Sequence, residues 1–211
     1  MASDRDVREL WRMAQKIGLN VGSGQRPFKT VHSHDCSQVV RFAANMPGLP
    51  DECTGNCVHW VNVDSQAKWR PDYVCDGMDL PFENESFDFV VLHHVLEHFG
   101  CGEGAGLIRE AYRVLKPGGS LLVFVPDLSA LAFGWLQGKI STQIYMTNIY
   151  GAYMGSEDDR HKWGFDEESL REFLSREPHE TTWGWIGKPK TFPVGADIAH
   201  DWWILEMECV K

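Results

Sequence analysis

Histidine is the residue type in this chain best suited to chemistry. His93 and His94 stand side by side in VLHHVLEHFG, His98 follows four positions after His94, and His161 lies alone in RHKWGFD. An imidazole gains and loses a proton near neutral pH, so each can serve as a base toward a hydroxyl or similar nucleophile. His94 and His161 are the two we expect at a reacting centre.

A second group of residues is suited to binding. The run Lys16 to Gly24, KIGLNVGSG, is a short apolar strand that enters a Gly-x-Gly turn at Gly22, Ser23 and Gly24. Without a Cβ the backbone there can take positive φ and approach a ligand closely. Val58 to Asp64 predicts another strand, and its terminal carboxylate can accept two hydrogen bonds at once, as the two hydroxyls of a ribose would offer. Gly24 and Asp64 are 40 positions apart, about twice the spacing of a compact dinucleotide-binding unit. The segment 25–57 between the two strands is therefore enlarged.

That segment holds His32, His34 and Cys36, then Cys53, Cys57 and, just beyond it, His59. Nitrogen and sulfur donors in such a set can bind zinc tetrahedrally. Sixteen residues separate Cys36 from Cys53 and His59 falls inside the predicted strand, so free thiols are the expected state and no metal ligand is assigned. Val39, Val40, Phe42 and Ala43 fit a helix covering a sheet.

The elements that must carry these residues follow from apolar patterning. Phe87 to Leu92 and Ser120 to Val125 are apolar runs without polar alternation, which suits strands covered on both faces of a parallel sheet. Between them Leu107, Ile108, Ala111, Val114 and Leu115 fall on one helical face, closed by Lys116-Pro117-Gly118-Gly119. A strand, helix, strand unit of this kind crosses over right-handed. The expected fold class is α/β, a doubly wound and mostly parallel sheet. Ser3 opens a first helix with Val7, Leu10, Trp11 and Ala14 inward, and Asp166 caps a later one with Leu170, Phe173 and Leu174 inward. Between them 127–160 reads as an irregular lid whose Phe133, Trp135, Tyr145, Tyr150 and Tyr153 wall a substrate pocket. Runs 181–186 and 201–210 form a terminal antiparallel pair.

The order of short words in the middle of the chain carries a further signal. Asp76, then Leu80-Pro81-Phe82, Phe87-Asp88-Phe89-Val90-Val91, Val95-Leu96-Glu97-His98 and finally Leu115-Lys116-Pro117-Gly118-Gly119 together resemble the class I S-adenosylmethionine-dependent methyltransferases, most strongly the small-molecule branch. The resemblance spans roughly Ile17 to Val125. It implies a Rossmann-like, seven-stranded sheet with a C-terminal antiparallel pair, and S-adenosyl-L-methionine as cofactor. It also implies cofactor contacts for Asn20, Gly22, Ser23, Gly24, Asp64, Asp76, Gly77, Met78 and His93, with Asp76 and its neighbours at the adenine and His93 near the methionine. Asn20 stands where the family commonly has an acid, and Gln25-Arg26 where a third glycine often sits. Glu97 and His98 match the family's helix-start pair, a structural role. Methyl transfer is an in-line displacement that needs a base only when the nucleophile must lose a proton, and His94 and His161 are the candidates.

Composition bounds the partners. A chain of 211 residues with 43% hydrophobic content can bury the core of one domain, 1–211. A net charge of −10 argues against a phosphate backbone as partner, because nucleic-acid binders cluster Lys and Arg. A small-molecule acceptor, with O, N or S as the attacking atom, fits better. The sequence lacks a membrane-length apolar run, and MASDRDVREL has acids where a leader would be apolar, so no membrane partner is expected and the location expected is cytoplasmic. Six cysteines are then expected reduced. Asn20 and the enlarged segment leave open a catalytically silent module that binds a partner protein. A nicotinamide oxidoreductase is disfavoured by the missing third glycine and the terminal strand pair.

Overall fold

Side-chain alternation divides one sheet into two buried faces. The computed structural model describes residues 16–24, 27–28, 31–32, 57–153, 155–176, 190–192 and 203–211. In chain order the strands are β1 (Lys16–Val21), β2 (Val31–His32), β3 (Cys57–Asp64), β4 (Tyr73–Val74), β5 (Phe87–His93), β6 (Leu115–Pro126), β7 (Lys190–Phe192) and β8 (Ile204–Val210). They lie in the order β2-β3-β1-β5-β6-β8-β7, with β4 also on β3. β3, β1, β5 and β6 are mutually parallel, while β8 runs antiparallel to β6 and β7 antiparallel to β8.

This is the Rossmann-like α/β architecture the sequence predicts, with eight strands among the described residues in place of seven. The difference lies in stubs: β2 and β4 are two residues each and both pair with β3. The antiparallel pair exists, but β7 falls at Lys190–Phe192. The run 181–186 lies outside the described residues, as do the helices expected around 3–14 and 39–43 and most of the His32 to Cys57 cluster.

On one face Leu19, Val21, Val61, Val63, Val90, Leu92, Leu121, Val123 and Met207 are buried against the helix α1 (Cys101–Val114), through Leu107, Ile108, Ala111 and Val114. A later helix, Glu167–Ser175, caps its first turn with Asp166 and adds Leu170 and Leu174 to that core. The other face packs Phe28, Val58, Trp60, Val91, Leu122 and Phe124. Trp60 lies over Gly18, where a Cβ would collide with the indole ring.

Two corrections concern boundaries. Lys116 to Gly119 does not simply end α1; it forms a bulge inside β6, across which the pairing with β5 shifts register. Gly118 has φ +78°, and Lys116 reaches Asp88 Oδ2 at 2.8 Å. The segment after β6 is not irregular. It contains α2 (Leu128–Leu136), capped by Asp127 accepting from the amides of Ser129 and Ala130, and α3 (Thr142–Tyr150), capped by Ser141. The helix Glu167–Ser175 is therefore α4. Both caps were readable as residue types, but apolar periodicity was not, because α3 buries no residue. Among the described residues no helix is long and apolar enough to cross a membrane.

Candidate active site

β1 lies between β3 and β5, so the chain leaves the sheet in opposite directions on its two sides; in open α/β sheets this is where ligands bind, beyond the carboxyl ends of the strands. A cleft of about 780 Å³ opens there. Its walls are the ends of β1 (Val21, Gly22, Gly24) and β3 (Val63, Asp64, Ser65, Gln66), the turn Cys75 to Met78, and the loop after β5 (His94, Val95, His98, Phe99). Thr147, Asn148, Ala152, Asp158, Asp159, His161 and Lys162 close the far side.

The Gly-x-Gly turn is tightly constrained. Gly22 has φ +67°, and a Cβ on it would lie 2.5 Å from Val95 Cγ2; Gly24 has φ +51°. Asp64 ties that turn to β3: its Oδ2 accepts from the Gly24 amide and its Oδ1 from the Gln66 amide, both at 2.8 Å. Each carboxylate oxygen keeps further acceptor capacity, and Asp64 lines the cleft. Asp76 Oδ1 accepts from the Met78 amide at 2.9 Å. Gly77 seats this turn on the core, since a Cβ there would stand 2.8 Å from Leu107 Cδ1. Arg113 holds the loop behind it, donating to the carbonyls of Leu80 and Phe82 at 2.9 and 2.7 Å.

Three residues expected at the cofactor do not line the cleft. Asn20 is buried on the Trp60 side of the sheet, where its Nδ2 donates to Asn62 Oδ1 at 3.0 Å. His93 is the last residue of β5, and strand pleating turns it to that same side, with its ring 5.2 Å from Phe124. Ser23 is buried in the turn, its amide bonded to the Val63 carbonyl at 3.0 Å and its hydroxyl without a partner among the described residues. The aromatic wall expected of the lid is also corrected. Phe133, Trp135, Tyr150 and Tyr153 are exposed, Trp135 stacks on Tyr145 at 5.0 Å, and none of the five expected rings lines the cleft. Helical winding of α2 and α3 turns the first four elsewhere and presents Thr147 and Asn148 instead, and Tyr153 lies past the end of α3.

The largest departure is Glu97, assigned a structural role by the resemblance. It is 1% exposed and lies at the hub of the histidines. His94 Nδ1 is 3.0 Å from Glu97 Oε1, His98 Nδ1 donates to the Asp158 carbonyl at 2.8 Å, and His161 Nδ1 to the Asn148 carbonyl at 2.8 Å. The rings of His98 and His161 meet edge to face at 4.7 Å. His94 takes φ +55°, a left-handed conformation costly for a residue with a Cβ. Burial pushes the Glu97 carboxyl up, but the hydrogen bond from His94 and the charges of His94, His161 and His98 outweigh it and leave the group below the ordinary value. His161 is lowered, chiefly by burial and by its neighbours His98 and His94, against the opposing pull of Glu97 and the Asn148 carbonyl. Glu97 is thereby held toward its ionised form and His161 toward its neutral one. The signal that could have found this hub is the i, i+3 spacing of His94 and Glu97.

A family model of the methyltransferase domain matches residues 19–123. The chain belongs to the class I S-adenosylmethionine-dependent methyltransferases. Demethylmenaquinone methyltransferase of Listeria welshimeri is 32% identical over 98 residues, 46% of this chain and 39% of that protein. Probable tRNA methyltransferase 9B of Mus musculus is 42% identical over 53 residues, 25% of this chain and 12% of that protein. The match thus spans less than half the length of either relative. Among solved structures, the 1,6-didemethyltoxoflavin-N1-methyltransferase of Burkholderia thailandensis, with 1,6-didemethyltoxoflavin and S-adenosylhomocysteine bound, superposes with a TM-score of 0.52 at 14% identity, over 97% of this chain and 75% of that one. This likeness is one of fold. S-adenosylmethionine is the cofactor that goes with the family. The methyltransferase cleft fits it on three observations: a glycine turn with no room for a side chain at Gly22, a carboxylate with acceptor capacity to spare at the end of β3, and a volume in the usual small-ligand range.

Proposed function

We propose that this methyltransferase acts on a small organic acceptor bearing hydrogen-bonding groups. The observation that carries the reading is the charge of the cleft. Asp64, Asp76, Glu103, Asp158 and Asp159 line it against one cation among the described lining residues, Lys162. A field of that sign repels a polyphosphate chain and tolerates a compact neutral or cationic acceptor. The polar far wall of Thr147, Asn148 and His161 supplies donors and acceptors rather than the aromatic surface expected from sequence.

Asp64 would hold the cofactor's ribose hydroxyls, the Gly22 to Gly24 turn would pass beneath them, and Asp76 to Met78 would flank the adenine. Bound S-adenosylmethionine supplies an electrophilic methyl group on a sulfonium. The chain's part is to align the acceptor, exclude water and take up a proton. His94 would receive that proton. With Nδ1–H held by Glu97 Oε1, Nε2 is the basic nitrogen, the same logic by which a carboxylate orients a catalytic histidine in hydrolases. His161 lines the same cleft with its Nδ1–H on a carbonyl.

The test pairs calorimetric titration of S-adenosylmethionine, S-adenosylhomocysteine and NAD with transfer of labelled methyl to separate small-metabolite and RNA pools. Binding of the first two and label in the small-metabolite pool is expected. Label confined to RNA would overturn the acceptor class. Cofactor binding with no transfer to any pool would favour the silent module.

A further inference from the structure

We propose that Glu97, His98 and His161 form a binding site for a divalent transition-metal ion of the zinc class at the wall of the cleft. The sequence reading expects no metal, and chain order hides this set, since His161 is 63 positions from His98. The fold brings them together: one ligand atom from each lies within 4.8 Å of the others. Tetrahedral zinc with such donors needs separations of about 3.3–3.5 Å, so closure by roughly an ångström completes the set. Two imidazoles and a carboxylate are the protein ligands of catalytic zinc sites that keep a position open, and of facial-triad iron sites.

The hydrogen bonds around the cluster leave each of the three residues one uncommitted acceptor atom. His98 and His161 each commit Nδ1–H to a backbone carbonyl, so the lone pair of each ring is on Nε2. Glu97 commits Oε1 to His94, and its Oε2 is buried without a hydrogen-bond partner among the described residues. A water molecule has two hydrogens and cannot donate to all three; a cation serves all three at once. The surroundings match those of a metal site in another respect. Ligating histidines characteristically donate their second N–H to a carbonyl or carboxylate, and ligating carboxylates are themselves hydrogen-bonded; all three residues meet that condition. The frame is fixed by backbone, because the amides of Lys162 and Trp163 both donate to the Glu97 carbonyl, at 2.8 and 3.1 Å. His98 and His161 line the main cleft, while Glu97 and His161 line a smaller cavity behind it. The ion would therefore sit at the boundary with its open position toward the cleft, available to water or to an acceptor oxygen. Metal binding is independent of methyl transfer and is tested without it.

The experiment uses the full chain stripped with a chelator and titrated with Zn²⁺ by calorimetry and with Co²⁺ by visible absorption. The expected result is a saturable site of one ion per chain, a cobalt spectrum with d–d bands and no thiolate charge-transfer band, and loss of about 100-fold or more in affinity in His98→Ala and in His161→Ala. Cys53→Ser/Cys57→Ser should retain the site, which separates it from any binding by the His32 to His59 cluster. No saturable binding to the wild-type chain would overturn the proposal. So would a thiolate spectrum, or undiminished binding in a folded His161→Ala chain shown by circular dichroism. Should either alanine variant fail to fold, the wild-type titration and cobalt spectrum decide alone.

Discussion

Asn20 Nδ2 donates to Asn62 Oδ1 at 3.0 Å across the buried centre of the sheet, joining β1 to β3. The orientation of Asn62 is fixed by its other bonds: Oδ1 accepts from the Phe28 amide at 2.7 Å, and Nδ2 donates to the Phe28 carbonyl at 3.0 Å and to Asp72 Oδ2 at 3.2 Å. A flipped Asn62 would set a donor against the Phe28 amide. Position 20 must therefore donate, and that explains why this chain has an amide where its family commonly has an acid.

The first prediction follows from that bond. Asn20→Asp sets two acceptors face to face in the interior, and a buried polar group left unsatisfied costs about 1–3 kcal/mol, more when charged. Urea denaturation should show a loss of at least that size with an unchanged slope. A stability within 0.5 kcal/mol of wild type, roughly the scatter of harmless surface substitutions, would mean that Asn62 repacks.

Asp64 carries the second. Asp64→Ala should weaken S-adenosylhomocysteine binding by about 1.5–3 kcal/mol, the range for hydrogen bonds to a charged group. Because Asp64 also holds the amides of Gly24 and Gln66, part of the loss acts through the turn. Asp64→Asn retains one acceptor oxygen and should fall between. Calorimetry on folded protein checks both, and an unaltered affinity for the alanine variant would remove Asp64 from the cofactor.

What could be read from sequence was whatever depended on local order. The apolar runs of β5 and β6, the helical face of α1, the Gly22 turn and the carboxylate ending β3 are contiguous words, and each stands where its pattern puts it. What could not be read depended on direction or on distant pairing. His93 and His94 are adjacent, yet one lies in a pleated strand facing Phe124 while the other, just past the strand end with φ +55°, reaches the cleft. Glu97 looked structural because its partners come from the distant segment 161–163 as well as from its own turn. The lid aromatics were misjudged because composition gives ring content without saying which way a helix faces.

Cysteine chemistry supplies a pH prediction. Cys75 lines the cleft, and burial, then the charges of Asp76, Asp64 and Asp79, push its thiol up to about 11. The thiolate is the nucleophile, so alkylation of Cys75 by iodoacetamide, followed by peptide mass mapping, should be about 100-fold slower at pH 8 than for an unfolded control and should rise with pH through the measured range. The linkage has a definite sign: a thiol raised in the folded state contributes stability that is whole below the unfolded value and declines as pH climbs from about 9 toward 11. A Cys75 rate equal to the control at pH 8 would show that neither burial nor the acids act on it.

The lid gives the last prediction. Helix α3 buries no residue, and α2 buries only Leu131 and Gly134, whereas β5 buries Phe87, Val90, Val91 and Leu92 completely. Segments with little buried apolar surface open locally at low cost. Beyond the stack of Tyr145 on Trp135, α3 is held by polar contacts: the His161 amide donates to the Tyr150 carbonyl at 3.1 Å and its ring to the Asn148 carbonyl at 2.8 Å. Amides of 142–150 should thus exchange far faster than those of 87–92 in the unliganded chain, and slow when S-adenosylhomocysteine and an acceptor fill the cleft that Thr147 and Asn148 line. Acceptor choice should follow the same geometry. Tyr145→Ala and Tyr153→Ala remove rings that do not line the cleft and should leave the acceptor KM within about twofold, while Asn148→Ala, which strips the amide from the wall but keeps the backbone carbonyl that holds His161, should raise it by about tenfold, the worth of one hydrogen bond. A lid as protected as β5 without ligand, together with tyrosine variants that change acceptor choice, would return the pocket to the aromatic face and away from the polar wall.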